Sequence, residues 1–270
     1  MPEVLRSGVI GELEILECRP EIESTRPALL FVHGAFAGAW VWAEHFLPYF
    51  AAQGFPAYAL SLRGHGASHG RDGLAWHSLG DYVDDLEGAI DALADAPVLI
   101  GHSMGAVVVM KYLERASAPA AALLAPVPPH GLLPASFTLA LSQPSLFTEL
   151  NALLGNGEAS LEAVHKALFA GPMPAEKLVA YQRRFQRESS RAVWDLTLFD
   201  LPQTWRMRRP PMLVLLAERD GLFPVAQSQA AFAAAGLRTE VLEELGHAVM
   251  LEPAWQRAAD RLIRWLAAVA

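Results

Sequence analysis

Cysteine is all but missing from this chain. Cys18 is the single one in 270 residues, which excludes an internal disulfide and any cysteine-built zinc cluster and fits a reducing compartment. Charge is sparse too. Asp, Glu, Lys and Arg make up 19% of the residues, and 29 acidic against 21 basic groups leave a formal charge of −8. That balance lacks the basic footprint needed to neutralise phosphates, so no nucleic-acid partner is expected. Nor is there a run of roughly 18 uncharged apolar residues of the spanning kind. The densest stretch, residues 116–129, is short and ends in prolines, so no membrane span is expected. Residues 1–11 mix charged with apolar positions and show no apolar run behind a basic start. They do not read as a signal peptide, and a cytoplasmic location is the expectation. A dinucleotide fingerprint is absent as well.

What is present is apolar. At 53% hydrophobic residues the chain has ample material for a packed core and is no disordered segment. Its length suits one α/β domain or two smaller ones. Short runs at Ala28–Val32, Ala57–Leu60, Pro97–Ile100, Ala120–Leu124, Pro211–Leu216 and Thr239–Leu242 read as strands, the all-apolar Ala28–Val32 as one buried on both faces. Gly8–Cys18 has the alternation of early antiparallel strands. Amphipathic stretches alternate with these runs. One is expected over Trp40–Ala52 with a kink at Pro48. Another is opened by Ser78 with Asp81 as a capping-box partner, a third covers Ala106–Arg115, and the last runs from about Pro253 to Ala268. Strands alternating with helices imply a mostly parallel sheet flanked by helices.

The block 127–206 breaks the alternation. It holds no convincing strand, and its helical runs near Leu146–Leu154, Ser160–Phe169, Ala175–Gln186 and Ser190–Leu198 are separated by prolines and glycines, among them Pro134, Pro144, Gly155, Gly157, Gly171 and Pro174. So long a gap between strands is no ordinary loop. A helical insertion over one end of the sheet is expected, with residues 1–126 and 207–270 forming the core domain.

The sharpest local signal is Gly101-His102-Ser103-Met104-Gly105, a G-x-S-x-G turn between a strand and a helix. A turn that tight strains the serine backbone and exposes its hydroxyl, and the Met104 amide then points from a helix N-terminus to where negative charge would develop. A serine hydroxyl needs a base. Of nine histidines, His247 follows the last strand and so falls at the same sheet edge. The base needs an orienting carboxylate: Asp220, after the fifth of these runs, is the candidate, with Glu218 and Asp200 as competitors. Glu252 reads as a brace at the start of the last helix. A second oxyanion donor is sought in His33-Gly34-Ala35-Phe36, with the Ala35 amide preferred and that of Phe36 as fallback. His33 and His102 read as structural, and Trp40 and Trp42 as core. His65, His69 and His77 lie in a polar turn read as surface, so no metal is implied.

Together, HGAFAGAW (33–40), LRGHGAS (62–68), GHSMG (101–105), AERDGLFP (217–224) and GHAVMLEP (246–253) resemble the α/β-hydrolase fold superfamily over nearly the whole chain. The resemblance implies the serine-nucleophile branch with a helical cap. Its nucleophile, acid and base fall on Ser103, Asp220 and His247, and its oxyanion amides on Ala35 and Met104. Serine at 103 argues against the epoxide hydrolases and haloalkane dehalogenases of the fold, which use a carboxylate. The HGAFAGAW stretch is also similar to the hydroxynitrile lyase and methyl esterase branch, where lyase activity would want a cap cation such as Lys166 or Lys177 near the base.

The expected activity is therefore carboxylesterase-like. An acyl-enzyme would form from a small to medium uncharged ester with a hydrophobic acyl part, and no cofactor is needed. Lactones, thioesters, monoacylglycerols and carbon–carbon bonds are alternative substrates for the same triad, as is peracid formation. A ligand-binding protein on a hydrolase scaffold is the alternative from another class. Phe36, Phe137, Leu146, Phe147 and Phe223 are the candidate pocket residues. Arg183, Arg184 and Arg187 read as a solvated face. The sequence is silent on oligomeric state.

Overall fold

The structure is a computed structural model that describes residues 6–154 and 157–269. Part of the leading stretch 1–11 and the separator Gly155 lie outside the described residues. The strands are β1 (Arg6–Ile10), β2 (Leu13–Cys18), β3 (Leu29–Val32), β4 (Ala57–Leu60), β5 (Val98–His102), β6 (Ala121–Leu124), β7 (Met212–Ala217) and β8 (Thr239–Leu242). They form an 8-stranded sheet in the order β1-β2-β4-β3-β5-β6-β7-β8. The β1–β2 and β2–β4 pairs are antiparallel and the other five are parallel. The architecture is an α/β-hydrolase fold with a helical cap.

The central strands read as unbroken apolar runs because each face feeds its own core layer. Along β3, Leu29 and Phe31 pack on one side while Leu30 and Val32 pack on the other, the two-residue period of a pleated strand. Helices α1 (Trp40–Ala43), α2 (Phe46–Ala52), α3 (Leu79–Asp91) and α4 (Met104–Arg115) belong to the first half of the core. Trp42, Phe46 and Phe50 of α1 and α2 surround Phe31, with ring centroids 4.9, 6.1 and 5.5 Å away. Ser78 caps α3 through a complete capping box with Asp81. The single kinked helix expected over Trp40–Ala52 is instead two helices broken at Glu44–His45. Pro48 is in the first turn of α2, where its missing N–H has no intrahelical partner to lose.

Between β6 and β7 lie five cap helices among the described residues: α5 (Leu133–Ser142), α6 (Pro144–Leu154), α7 (Leu161–Leu168), α8 (Ala175–Gln182) and α9 (Ser190–Trp194), the last running into a π-helical turn at Asp195–Phe199. The sequence reading did not identify α5, and Pro134, read as a separator, sits within its first turn. Helices α10 (Val225–Ala234) and α11 (Gln256–Val269) complete the core. None of the described helices is long and apolar enough to cross a membrane.

Candidate active site

Parallel α/β sheets place ligands beyond the C-terminal ends of their strands. Ser103 follows β5, Asp220 follows β7 and His247 follows β8, so three distant parts of the chain meet at one edge. Ser103 has φ 51° and ψ −117°, a left-handed backbone that side chains with a Cβ rarely adopt. The turn is held by its neighbours: the Ser103 N–H donates to the Leu124 carbonyl (3.1 Å), and the Ala106 N–H to the Ser103 carbonyl (3.1 Å). The packing around it leaves no room for larger residues. A Cβ on Gly105 would collide with the carbonyl oxygens of Val32 and His33, and one on Gly34 would lie 2.9 Å from Ser103 Cβ and 2.8 Å from His102 Nδ1.

The Ser103 hydroxyl is 3.0 Å from His247 Nε2, and His247 Nδ1 is 2.8 Å from Asp220 Oδ2. All three residues are nearly shielded from solvent. A carboxylate only accepts, so Nδ1 carries the proton and Nε2 is left as the acceptor facing the hydroxyl. Asp220 Oδ1 accepts the amides of Leu222 (2.8 Å) and Phe223 (2.9 Å), which fixes the carboxylate plane. Phe223 also meets the His247 ring edge-on at 5.4 Å. The competing carboxylates are engaged elsewhere: Glu218 accepts from the Glu244 amide (2.8 Å) and Asp200 pairs with Lys111 (2.6 Å).

The supporting histidines are neutral linkers. His102 Nε2 donates to the His247 carbonyl (2.9 Å), while burial, then the nearby His247, holds its imidazole well below the ordinary value. The Leu62 N–H donates to His33 Nε2 (3.0 Å), so His33 Nδ1 is the protonated nitrogen and donates to the Gly34 carbonyl (2.8 Å). Burial and the neighbouring His65 push His33 down to about 3. Glu252 is a buried brace as expected, but it lies before α11 rather than within it, and one of its oxygens accepts both the Gly246 amide (2.8 Å) and the cap's Ala170 amide (2.6 Å).

His65 departs from the sequence reading, which placed it on the surface. It is fully buried against Glu188 of the cap, 3.2 Å from Nε2 to Oε2. The polar composition of its turn hides this, because the partner arrives from far along the chain. Burial opposes the His65 charge, yet Glu188 raises its pKa above the ordinary value. Burial alone would raise Glu188. The His65 charge and the bonds from Ser189 and Tyr82 instead hold it down at about 2. The sequence reading did not single out Glu188.

A cavity of about 1340 Å³ opens above Ser103 and His247. Ala35, Met104, Phe36, Phe147 and Phe223 line it, with Leu132, Leu139, Leu150 and Leu153 of the cap. Phe137 and Leu146 do not. Phe137, on the unforeseen α5, is 68% exposed, and Leu146 is buried in a hydrophobic cluster that the cap shares with the core domain. Arg183 and Arg187 line the cavity together with Arg71, while Arg184 stacks over Trp40 at 4.3 Å. The arginine cluster is thus only partly a solvated face. Neither Lys166 nor Lys177 is among the lining residues. Lys177 lies 3.6 Å from Glu44.

A family model described as the alpha/beta hydrolase family matches residues 29–261. The chain belongs to this family. Among its relatives, a monoacylglycerol lipase of Mycolicibacterium smegmatis is 26% identical over 96% of this chain and 95% of its own length. A lipase candidate, lip1, of Acinetobacter baumannii AYE superposes with a TM-score of 0.75 at 20% identity, over 98% of this chain and 91% of that one. The enol-lactonase of Burkholderia xenovorans LB400 superposes with a TM-score of 0.69 at 16% identity, over 97% and 100%. At these identities the two α/β-hydrolase structures share the fold, and substrate choice has to be argued from the site itself.

Proposed function

We propose that this α/β-hydrolase is a serine esterase that works through an acyl-enzyme. The observation that carries the reading is the unbroken relay from Ser103 Oγ through His247 to Asp220, at 3.0 and 2.8 Å, on a strained turn facing the cavity. His247 takes the Ser103 proton as Oγ attacks the carbonyl carbon. Asp220 stabilises the imidazolium that results. The amides of Met104 and Ala35 receive the oxyanion. The alternative donor at Phe36 already donates to Glu188 (3.1 Å), which favours Ala35. His247 then protonates the leaving alcohol, and water releases the acyl group by the reverse sequence.

The substrate follows from the wall chemistry. At about 1340 Å³ the cavity exceeds the roughly 300–1,000 Å³ of ordinary small-molecule pockets. Leucines of α5 and α6 with Phe147 suit an apolar acyl chain, while Arg183, Arg187 and Gln186 give another part of the wall hydrogen-bonding character. An ester of a hydrophobic acyl chain with a polar alcohol fits both. A monoacylglycerol is one such ester, and the resemblance to a monoacylglycerol lipase over nearly the full length favours it. We further propose that residues 127–206 act as the lid of this site. The lyase alternative loses support at Lys166 and Lys177, neither of which lines the cavity.

Hydrolysis of p-nitrophenyl esters from acetyl to dodecanoyl, and of a monoacylglycerol, by the parent protein and Ser103→Ala tests the reading. A nitrophenol burst that the variant lacks is expected, with an optimum above acetyl. Equal rates for parent and a folded variant would overturn it. A folded parent that binds these esters without turning any over would instead favour the ligand-binding alternative.

A further inference from the structure

The loop that carries the Ala35 amide is gripped from the cap. Phe36 has φ 63°, in the left-handed region that a bulky side chain avoids, so its conformation needs support from outside. The cap holds both polar groups of its backbone. The Phe36 N–H donates to Glu188 Oε2 (3.1 Å), and the Phe36 carbonyl accepts the Gln186 N–H (2.7 Å). Glu188 is in turn immobilised. Its Oε1 accepts the Tyr82 hydroxyl (2.7 Å) and the Ser189 N–H (2.7 Å), and Oε2 faces His65 at 3.2 Å. The carboxylate is fully buried, yet it lines the wall of the cavity above Ser103. A buried charge is kept only where donors compensate it, and here two of the donors are backbone amides on opposite sides of the cap–core boundary.

We propose that Glu188 is the positioning residue of the oxyanion hole: it locks the peptide next to Ala35, so that the Ala35 amide is aimed at the reacting carbonyl only while the cap is seated. The inference rests on the serine-esterase reading above. A carboxylate is required rather than an amide. A glutamine would have to turn its NH₂ group toward either Phe36 N–H or Ser189 N–H, leaving a donor facing a donor. Glu188 touches no reacting atom, so its loss affects the chemical step through geometry. A misplacement of about 1 Å costs on the order of 100-fold.

The test compares the parent, Glu188→Gln, Glu188→Ala and Ser103→Ala. One readout is the rate of labelling by a fluorophosphonate. In that reaction Ser103 Oγ bonds to phosphorus, fluoride leaves, the serine proton passes to His247 and the phosphoryl oxygen occupies the oxyanion hole. The others are kcat and KM on p-nitrophenyl butyrate, melting by circular dichroism, and hydrogen exchange of the Phe36 amide. Folded Glu188→Gln is expected to label and turn over about 10- to 100-fold more slowly, with KM within about twofold of the parent and faster Phe36 exchange. A folded variant with parental labelling and kcat overturns the proposal, as does a raised KM at unchanged kcat. If both substitutions unfold the protein, the parent decides: rapid exchange at Phe36 overturns the proposal, and strong protection supports it. A parent that labels no better than Ser103→Ala sinks the serine-esterase reading and this inference together, whereas a well-labelled parent with an equally labelled Glu188→Gln sinks the inference alone.

Discussion

Ser103 combines a strained backbone with a hydroxyl whose partner nitrogen is chosen two bonds away, at Asp220. Asp220→Asn would let an amide N–H face His247 Nδ1 and turn the imidazole to the wrong tautomer. Under the proposed mechanism kcat falls about 10⁴-fold with little change in KM, as steady-state kinetics on a single ester would show. The strain depends on close packing beneath it. Gly105→Ala drives a methyl group into the Val32 and His33 carbonyls, backbone atoms that cannot step aside. About 3 kcal/mol of stability should be lost, read from urea denaturation. At this scale Ser103, Asp220 and His247 were legible as candidates because each stands in a short motif just beyond the C-terminal end of a strand. Glu188 was not. Arg187-Glu188-Ser189 reads as an ordinary polar segment, and its partners Phe36, His65 and Tyr82 come from 152, 123 and 106 positions away, as 188 minus each number gives. Burial of a charge leaves no local trace when its compensation is tertiary.

The central strands were legible because parallel strands under two layers of helix have to be apolar on both faces, whereas the edge strand β8, with Glu240 and Val241 exposed, shows no such run. The helices were legible where one face is apolar, as in α11, whose buried Ala258, Leu262, Trp265 and Leu266 lie on one side. Two helices gave no such signal. α5 opens through Pro134, which marks a helix start as readily as a break, and Ala135 alone of its residues is buried. α10 is alanine-rich and buries only Ser228 and Phe232. Without α5 the facing of its partner α6 is open, so from the sequence Phe137 and Leu146 read as pocket residues. Their true settings separate them experimentally. Leu146→Ala should cost about 3 kcal/mol for a buried side chain, and Phe137→Ser should stay within about 0.5 kcal/mol, both by thermal or urea unfolding. Phe147→Ala removes bulk from the cavity wall, so under the proposed function it should move the acyl-length optimum upward with little effect on acetyl ester turnover.

For the whole molecule, the buried neutral histidines set the response to acid. His33 is pushed down to about 3, and His102 lies well below its ordinary value. Between about pH 6.5 and 4.5 the unfolded chain protonates these imidazoles while the folded one does not, so stability falls as pH falls. His65 works the other way. Its raised folded pKa gives stability that is complete below about pH 6.5 and is lost as pH rises through the folded value. Glu188, at about 2 when folded, contributes stability that is present above about pH 4.3 and is lost as pH drops toward 2. The melting temperature should therefore decline steadily from pH 6.5 to 4.5. A melting temperature that is flat across that interval, followed by calorimetry at constant ionic strength, would contradict buried neutral His33 and His102.

Glu252 ties the cap's Ala170 to the loop of His247 through one oxygen, and residues 186–195 are bonded to Phe36, Gly66, His77 and Leu79 of the core. The α5–α6 hairpin is tied far more lightly, for instance by Gln227 onto Thr138 (2.7 Å), although it furnishes much of the apolar wall. Natural variation can therefore act unequally on the two parts. Under the proposed function, the bonded segment is a keystone whose alteration disturbs the reaction itself, whereas the hairpin is an exchangeable cassette. On that reading, descendants of this chain could acquire new acyl preferences by replacing some twenty residues while inheriting the chemistry intact.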